Sequence, residues 1–325
     1  MTAPERSLIL HADDFGFNAA VTRGIVASFQ NGLLTSTSLL ANAPAAQLAL
    51  DEWKRLEQER RIGTLLSADA RRGINDELSS FDLGVHLNLT QGRPLTGQRF
   101  PAELLDSAGR FLSPGRLFAK LRFGDHRWRS AIAAEWSAQI EWLIDRGFLP
   151  THLNGHQYVE MMPVASEVVL RLARRYAVPF IRAASEPGHW RSSLRPGFRL
   201  TNCCLAFVKG HYASGWRRAL DARGIRHADA FFGASHAGQI DIEMMRRFLS
   251  VARGYRLTEI ALHPGMAAAA STDEELADGW HDPLRQARPA ELRLLCSTDL
   301  VELLAARGFR LGRLASFTAC QSQAA

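Results

Sequence analysis

The basic side of this chain is almost without lysine. Of its 39 lysine and arginine residues, only Lys54, Lys120 and Lys209 are lysines. Arginine suits two-pronged contacts with anions, but here the arginines are scattered, and no basic run is interleaved with aromatics as a nucleic-acid surface requires. Nucleic acid is therefore not an expected partner, despite a formal net charge of +6. Cysteine is scarce too: Cys203, Cys204, Cys296 and Cys320 contain no C-x-x-C pair. Neighbouring cysteines rarely bridge without strain, so reduced thiols are expected. No apolar run reaches the length of a membrane span, and the N-terminal MTAPERSLIL has no signal-peptide core. The expectation is a cytoplasmic protein without stable membrane insertion. Three common chemistries lack their motifs as well. There is no G-x-S-x-G nucleophile elbow, no phosphate-binding G-x-x-x-x-G-K-[ST] loop, and no G-x-G-x-x-G after a strand.

What is present is apolar material in short pieces. The 325 residues are 46% hydrophobic and 22% charged, enough for a core in two ordinary domains or one large α/β barrel. SLILHA (7–12), LTSTSLLAN (34–42), DLGVHLNLT (82–90), FLPTHLNGHQ (148–157), VPFIRA (178–183) and TEIALHPG (258–265) read as strands or strands entering loops. Helical spacing is found over Ala19–Asn31, Pro44–Arg61, Trp128–Arg146, Val164–Tyr176, Met244–Arg253 and Asp299–Arg307, with Gly32 and Gly147 as stops. Strands alternating with helices predict a mostly parallel sheet. Residues 93–125 read as a Gly/Pro-rich loop or lid, with Phe111, Phe118 and Trp128 placed to stack on a ring. Residues 313–325 read as a disordered tail after a single domain over 1–312.

Polar residues recur where these strands end: Asp13 and Asp14, His86, His152 and His156, Arg182, His263. In α/β barrels chemistry collects on that rim. Two adjacent carboxylates at a buried strand end are costly unless something positive faces them. They are either a solvated turn that starts a helix or the holder of a cation. Asp14, His86 and His156 could supply one carboxylate and two imidazoles to a divalent metal. The i, i+4 spacing of His152 and His156 suits a helical metal pair, but Pro150 and Gly155 argue against a helix. One of the two is then a ligand and the other structural. His263 is either a site residue or a turn residue before Pro264–Gly265. His126, His189, His211, His227, His236 and His281 read as surface or loop residues, and Asn88 and Asn154 as possible hydrogen-bonding groups in the site.

HADDFG, GVHLNLT, THLNGHQYVE and ALHPG, in this order and spacing, resemble the YdjC-like carbohydrate deacetylases over about residues 7 to 312. TSTSLLAN, FIRAASEP and GFRLG extend the resemblance. It implies a single distorted (β/α) TIM-like barrel of the YdjC/NodB deacetylase type, a hydrolase that removes acetyl groups from N-acetylated sugars. The cofactor implied is a divalent metal, Mg²⁺ first and Zn²⁺ or another divalent ion second. Carried over by position, Asp14, His86 and His156 are the metal ligands, Asp13 the base and His263 the acid. Arg182, Glu186, Asn88 and Tyr158 are expected substrate contacts. The family pattern has further histidines where this chain has Tyr158 and Glu160, which puts the substrate pocket or metal preference in doubt. The expected partner is an acetylated sugar or glycolipid, and a homodimer is compatible. Two other classes remain open: a metal-dependent phosphoesterase or other hydrolase using the same ligands, and a non-catalytic sugar- or glycolipid-binding homologue.

Overall fold

A computed structural model describes residues 6–66, 81–123, 127–187, 215–267 and 278–315. Strand β1 (Arg6–Phe15) runs through its centre. Leu8, Ile9 and Leu10 are wholly buried, so the strand reads as a continuous apolar run rather than an alternation, as strands covered on both faces do. One edge of β1 pairs with β7 (Leu257–Leu262) from Ser7 to Ala12. Its other edge pairs first with β8 (Phe309–Leu311) at Arg6–Leu8, then with β2 (Ser36–Leu39) from His11 onward.

All the strand pairings are parallel. The order is β5-β4-β3-β2-β1-β7-β6, with β3 at Asp82–Leu87, β4 at His152–Gly155, β5 at Phe180–Ile181 and β6 at Ala230–Phe232. The result is an α/β fold built on a curled, half-barrel sheet. A single parallel bridge from Phe180 to Arg226 brings the two edges of the curl toward each other.

Helices α1 (Ala19–Asn31), α2 (Ala46–Leu66), α3 (Pro114–Phe123), α4 (Trp128–Ile144), α5 (Ala165–Arg175), α6 (Ile242–Ala252), α7 (Arg288–Leu295) and α8 (Thr298–Arg307) surround the sheet. Several begin on a side-chain cap that satisfies an otherwise free N–H. Asn18 accepts from Val21, Asp241 from Met244 and Ser297 from Leu300. Ile132, Trp136, Ile140 and Leu143 are the buried face of α4, as their spacing predicts. Helix α1 lies directly on the loop after β7, because a Cβ on Gly24 would stand 2.3 Å from the Gly265 Cα. That contact sets the height of the loop carrying His263.

Of the stretch 93–125, residues 93–123 are described, and they are not an open lid. They form two short 3₁₀ turns, at Gly97–Arg99 and Ala102–Leu104, and then α3. Phe111 and Trp128 are buried and Phe118 packs against the core. The apolar area of Phe111 and Trp128 is thus taken by the interior, and that of Phe118 partly so. Buried Glu135 ties the start of this region to α4, accepting from the Leu95 and Thr96 amides, the Thr96 hydroxyl and Gln139.

The sheet's opposite end is closed by the chain itself. Leu314, in the stretch expected as tail, is 1% exposed and packs with Ile9, Phe180, Ala228 and Leu257. Its N–H donates to the buried Asp82 carboxylate. Leu314→Ala is expected to cost about 2–4 kcal/mol by leaving a cavity there. Urea midpoints check this.

Candidate active site and metal centre

Successive side chains in a regular strand point to opposite faces, so Asp13 and Asp14 should diverge. They do not, because β1 breaks register between Ala12 and Phe15 and Asp14 takes a left-handed backbone, φ 70°. That conformation is uncommon for a residue with a Cβ, and here it leaves the second carboxylate in the same buried cluster as the first, His86 feeling the charge of both.

Asp14 then meets residues from the ends of β3 and β4. Its Oδ1 accepts from His156 Nδ1 at 3.0 Å and lies 3.5 Å from His86 Nε2. One potential ligand atom from each of the three lies within 4.8 Å of the other two, and all three residues are buried. Nδ1 of His86 and Nε2 of His156 have no protein partner. A buried oxygen shared by two imidazoles, with ring nitrogens left over, is a donor set that fits a divalent cation. His152 stays outside this group. Its ring packs edge-on against His11 at 4.9 Å, and its Nδ1 bonds the Thr151 hydroxyl at 2.9 Å.

Asp13 has a separate set of partners. Asn154 Nδ2 donates to Oδ1 at 2.9 Å, and His11 Nε2 lies 3.1 Å from the same oxygen. Arg182 donates to Oδ2 at 2.8 Å, and His263 Nε2 is 3.9 Å from it.

Each aspartate has its own buried arginine, and each arginine has a second acid behind it. Arg182 is held by Glu259 at 2.8 Å. Arg288, at the start of α7, donates to Asp14 Oδ2 at 2.8 Å and to the two Asp282 oxygens at 2.8 and 3.0 Å. Burial opposes ionisation of both aspartates, but the charges beside them outweigh it. Arg182, then His86 and His11, hold Asp13 well below the usual carboxylate range; Arg288, then His156 and His86, do the same for Asp14. Burial also lowers the imidazoles of His86 and His156. At His86 the charge of Asp13 and the bond and charge of Asp14 overcome it, so its pKa is raised, whereas His156 stays lowered.

The remaining expected residues are placed as follows. Asn88 caps the loop after β3, accepting from the Thr90 and Gln91 amides and donating to Asn42 and the Gln91 carbonyl. Glu186 accepts from three successive amides after β6, those of Gly233, Ala234 and Ser235. Tyr158, in left-handed backbone with φ 62°, sets its ring edge-on to Phe231. Burial, and then the charge of Asp13, push its hydroxyl well above the usual phenol range. His263 is nearly buried, and its backbone N–H donates to Glu291 at 2.6 Å. His236 is not a surface residue: it is fully buried, with its ring 6.0 Å from that of Phe248. His126, His189 and His211 lie outside the described residues.

Sequence reasoning missed His11, Glu259, Arg288, Asp282 and Glu291. For Glu259 a signal existed, since a charge inside the apolar run of β7 must find a buried partner. Arg288 offered none, because its helix was not recognised.

Glu160 is wholly buried, and no side chain hydrogen-bonds its carboxylate. It lies flat against β4 because residue 155 is glycine; a Cβ there would stand 2.1 Å from one of its oxygens. Burial pushes its pKa from 4.5 up to about 7, against the pull of Arg182, its own backbone N–H, His86 and the Gly155 N–H. A carboxyl raised on folding contributes stability that is complete below its unfolded value and lost as pH rises through its folded one. Metal-free wild type should therefore lose about 3 kcal/mol between pH 4 and pH 8 that Glu160→Gln does not lose. Denaturation of both proteins across that range, with chelator present, measures the difference.

The profile of YdjC-like proteins matches residues 7–306. The chain belongs to the YdjC-like family. Among its relatives, a carbohydrate deacetylase of Mus musculus is 30% identical over 276 residues, covering 82% of this YdjC-like chain and 80% of the relative. A carbohydrate deacetylase of Homo sapiens is 28% identical over 332 residues, covering 96% and 91%. One from Geobacillus stearothermophilus reaches 35% over 174 residues, which is 54% of this chain and 58% of that protein. A crystal structure from Enterococcus faecalis, of a protein whose name links it to cellobiose-phosphate cleavage, superposes with a TM-score of 0.67. It covers 96% of this chain and 99% of that one at 24% identity, a likeness of fold alone. No helix among the described residues is long and apolar enough to cross a membrane.

Proposed function

We propose that this YdjC-like chain is a metal-dependent hydrolase that removes N-acetyl groups from an N-acetylated sugar, free or in a glycoconjugate. The observation carrying this reading is the convergence of Asp14, His86 and His156 on one buried point, with the separately held Asp13 beside it. The names of the curated relatives supply the substrate class. We also read the curled sheet as a distorted (β/α) TIM-like barrel, on the strength of the Phe180–Arg226 bridge.

Asp14, His86 and His156 would hold the cation. The chemistry such an ion would supply is polarisation of the amide carbonyl and a lowered pKa for water. Mg²⁺ is our first choice from the resemblance, but two imidazoles also suit Zn²⁺, so both are tested. Asp13 removes the proton from the attacking water. It is ionised throughout the working range, and its bonds to Arg182 and Asn154 hold it in one orientation. His263 delivers a proton to the departing amine from a position 3.9 Å from Asp13.

Arg182 donates from one nitrogen to Asp13 and from Nε to Glu259, with which it is also ion-paired at 2.8 Å, so we assign it to hold the base rather than to grip the sugar. Tyr158 stands close enough to feel the charge of Asp13, and we assign it as a sugar contact. Asn88 and Glu186 hold the loops after β3 and β6.

The test is acetate release from N-acetylglucosamine, diacetylchitobiose and an N-acetylglucosaminyl lipid, after chelation and after return of Mg²⁺ or Zn²⁺. Acetate and free amine in equal amounts, dependent on added metal, are expected. Phosphate release from a phosphorylated sugar, with no acetate from any of the three, would point to a phosphoesterase instead.

A further inference from the structure

The two oxygens of Asp14 are used differently. Oδ1 faces His156 and His86, whereas Oδ2 is occupied by Arg288 NH2 at 2.8 Å. Arg288 has little freedom to leave. Its Nε and NH2 bond both oxygens of Asp282, its guanidinium lies 5.5 Å from the Phe17 ring centre, and its stem packs against Gly265. A Cβ on residue 265 would stand 2.9 Å from the Arg288 Cδ. The arginine is 2% exposed, and the side chains of Asp282 and Asp14 are 4% and 5% exposed.

We infer that Arg288, anchored by Asp282, is a positioning residue that fixes Asp14 as a one-oxygen ligand and sets the shape of the metal site. Nothing in the donor set itself requires this arrangement, since a carboxylate left alone can turn either or both oxygens toward a cation. The planar fork of arginine engages two carboxylates at once, which a lysine ammonium, a point charge on a flexible stem, does not do in the same geometry. The same guanidinium also approaches the His263 carbonyl, NH1 to O 3.5 Å. One side chain thus links the metal-binding strand end to the loop that carries the proposed acid.

The inference rests on the metal reading above, and its test separates the two. Chelator-treated wild type, Arg288→Lys, the double variant Arg288→Met with Asp282→Asn, and His156→Ala are titrated with Co²⁺. Affinity is read by calorimetry and ligand geometry by the visible absorption of the bound ion. The double variant removes one positive and one negative charge together, so it alters the geometry around Asp14 without changing the net charge. It is expected to bind Co²⁺ 10- to 100-fold more weakly, the usual cost of losing a partner that orients a ligand. Its absorption bands should shift, and those of Arg288→Lys should shift as well. Wild-type affinity and spectrum in either variant overturn the inference. If the double variant does not fold by circular dichroism, Arg288→Lys decides alone. If His156→Ala binds Co²⁺ as wild type does, the metal reading itself fails. Loss of binding in His156→Ala with wild-type behaviour in the arginine variants sinks only the role of Arg288.

Discussion

Asp14→Asn should come through purification folded but without its divalent ion, and acetate release should fall to background. The substitution removes the carboxylate charge that both imidazoles and Arg288 share. Losing a direct ligand should exceed the 10- to 100-fold cost of losing a ligand's partner. The protein is also destabilised, because Arg288 keeps Asp282 but loses half of its buried negative surroundings. Breaking a buried pair by removing one partner costs about 3–5 kcal/mol; here the remaining acid should keep the loss toward the lower end. Metal content by elemental analysis after dialysis, together with acetate release, gives the result. A variant that retains stoichiometric metal would remove Asp14 from the ligand set.

Asp13→Asn should fail in the opposite manner. Metal content stays at the wild-type level, while turnover drops by about 10²- to 10⁴-fold, the contribution usual for a positioned base. An amide can still accept from Arg182, so the Arg182–Glu259 pair keeps its place and the fold survives. The stability cost should resemble that of Asp14→Asn, since here too a buried arginine keeps one acid and loses the charge of the other; what is lost beyond that is the ability to take a proton. The base is an unusual one, held well below the ordinary carboxylate range by Arg182 and the neighbouring histidines. It is weak in isolation and depends on the water it serves being acidified. Single-turnover acetate release with metal in excess measures the loss, and wild-type turnover would show that Asp13 is not the base.

This contrast between neighbours also resolves why two like charges share a buried strand end. A bound cation was the compensation expected from the residues alone. The fold supplies another one before any ion arrives: two acid–arginine–acid chains, Asp13–Arg182–Glu259 and Asp14–Arg288–Asp282. The carboxylates remain ionised and separately oriented, ready for different duties.

Periodicity was sufficient where an element is long and its caps are local. Helix α1 runs from Ala19 to Asn31 between Asn18 and Gly32, and α4 buries the four residues its spacing picked out. It failed for β6 and β8, three residues each, which are strands because β7 and β1 offer them pairing partners. It also failed for α7, whose buried face includes a charged arginine.

By itself, then, the sequence determined the alternation of strand and helix, and the strand-end positions of Asp13, Asp14, His86, His156 and His263. Those are local properties, written in hydrophobic spacing and in the residues that follow each apolar run. Only the tertiary structure decided that Asp14 turns left-handed beside Asp13, that His152 packs on His11 and not with Asp14, and that Arg182 and Arg288 clamp the pair. The reason is separation along the chain. Arg182 stands 169 positions from Asp13 and Arg288 stands 274 from Asp14, and no local pattern records which buried charge a distant arginine will meet.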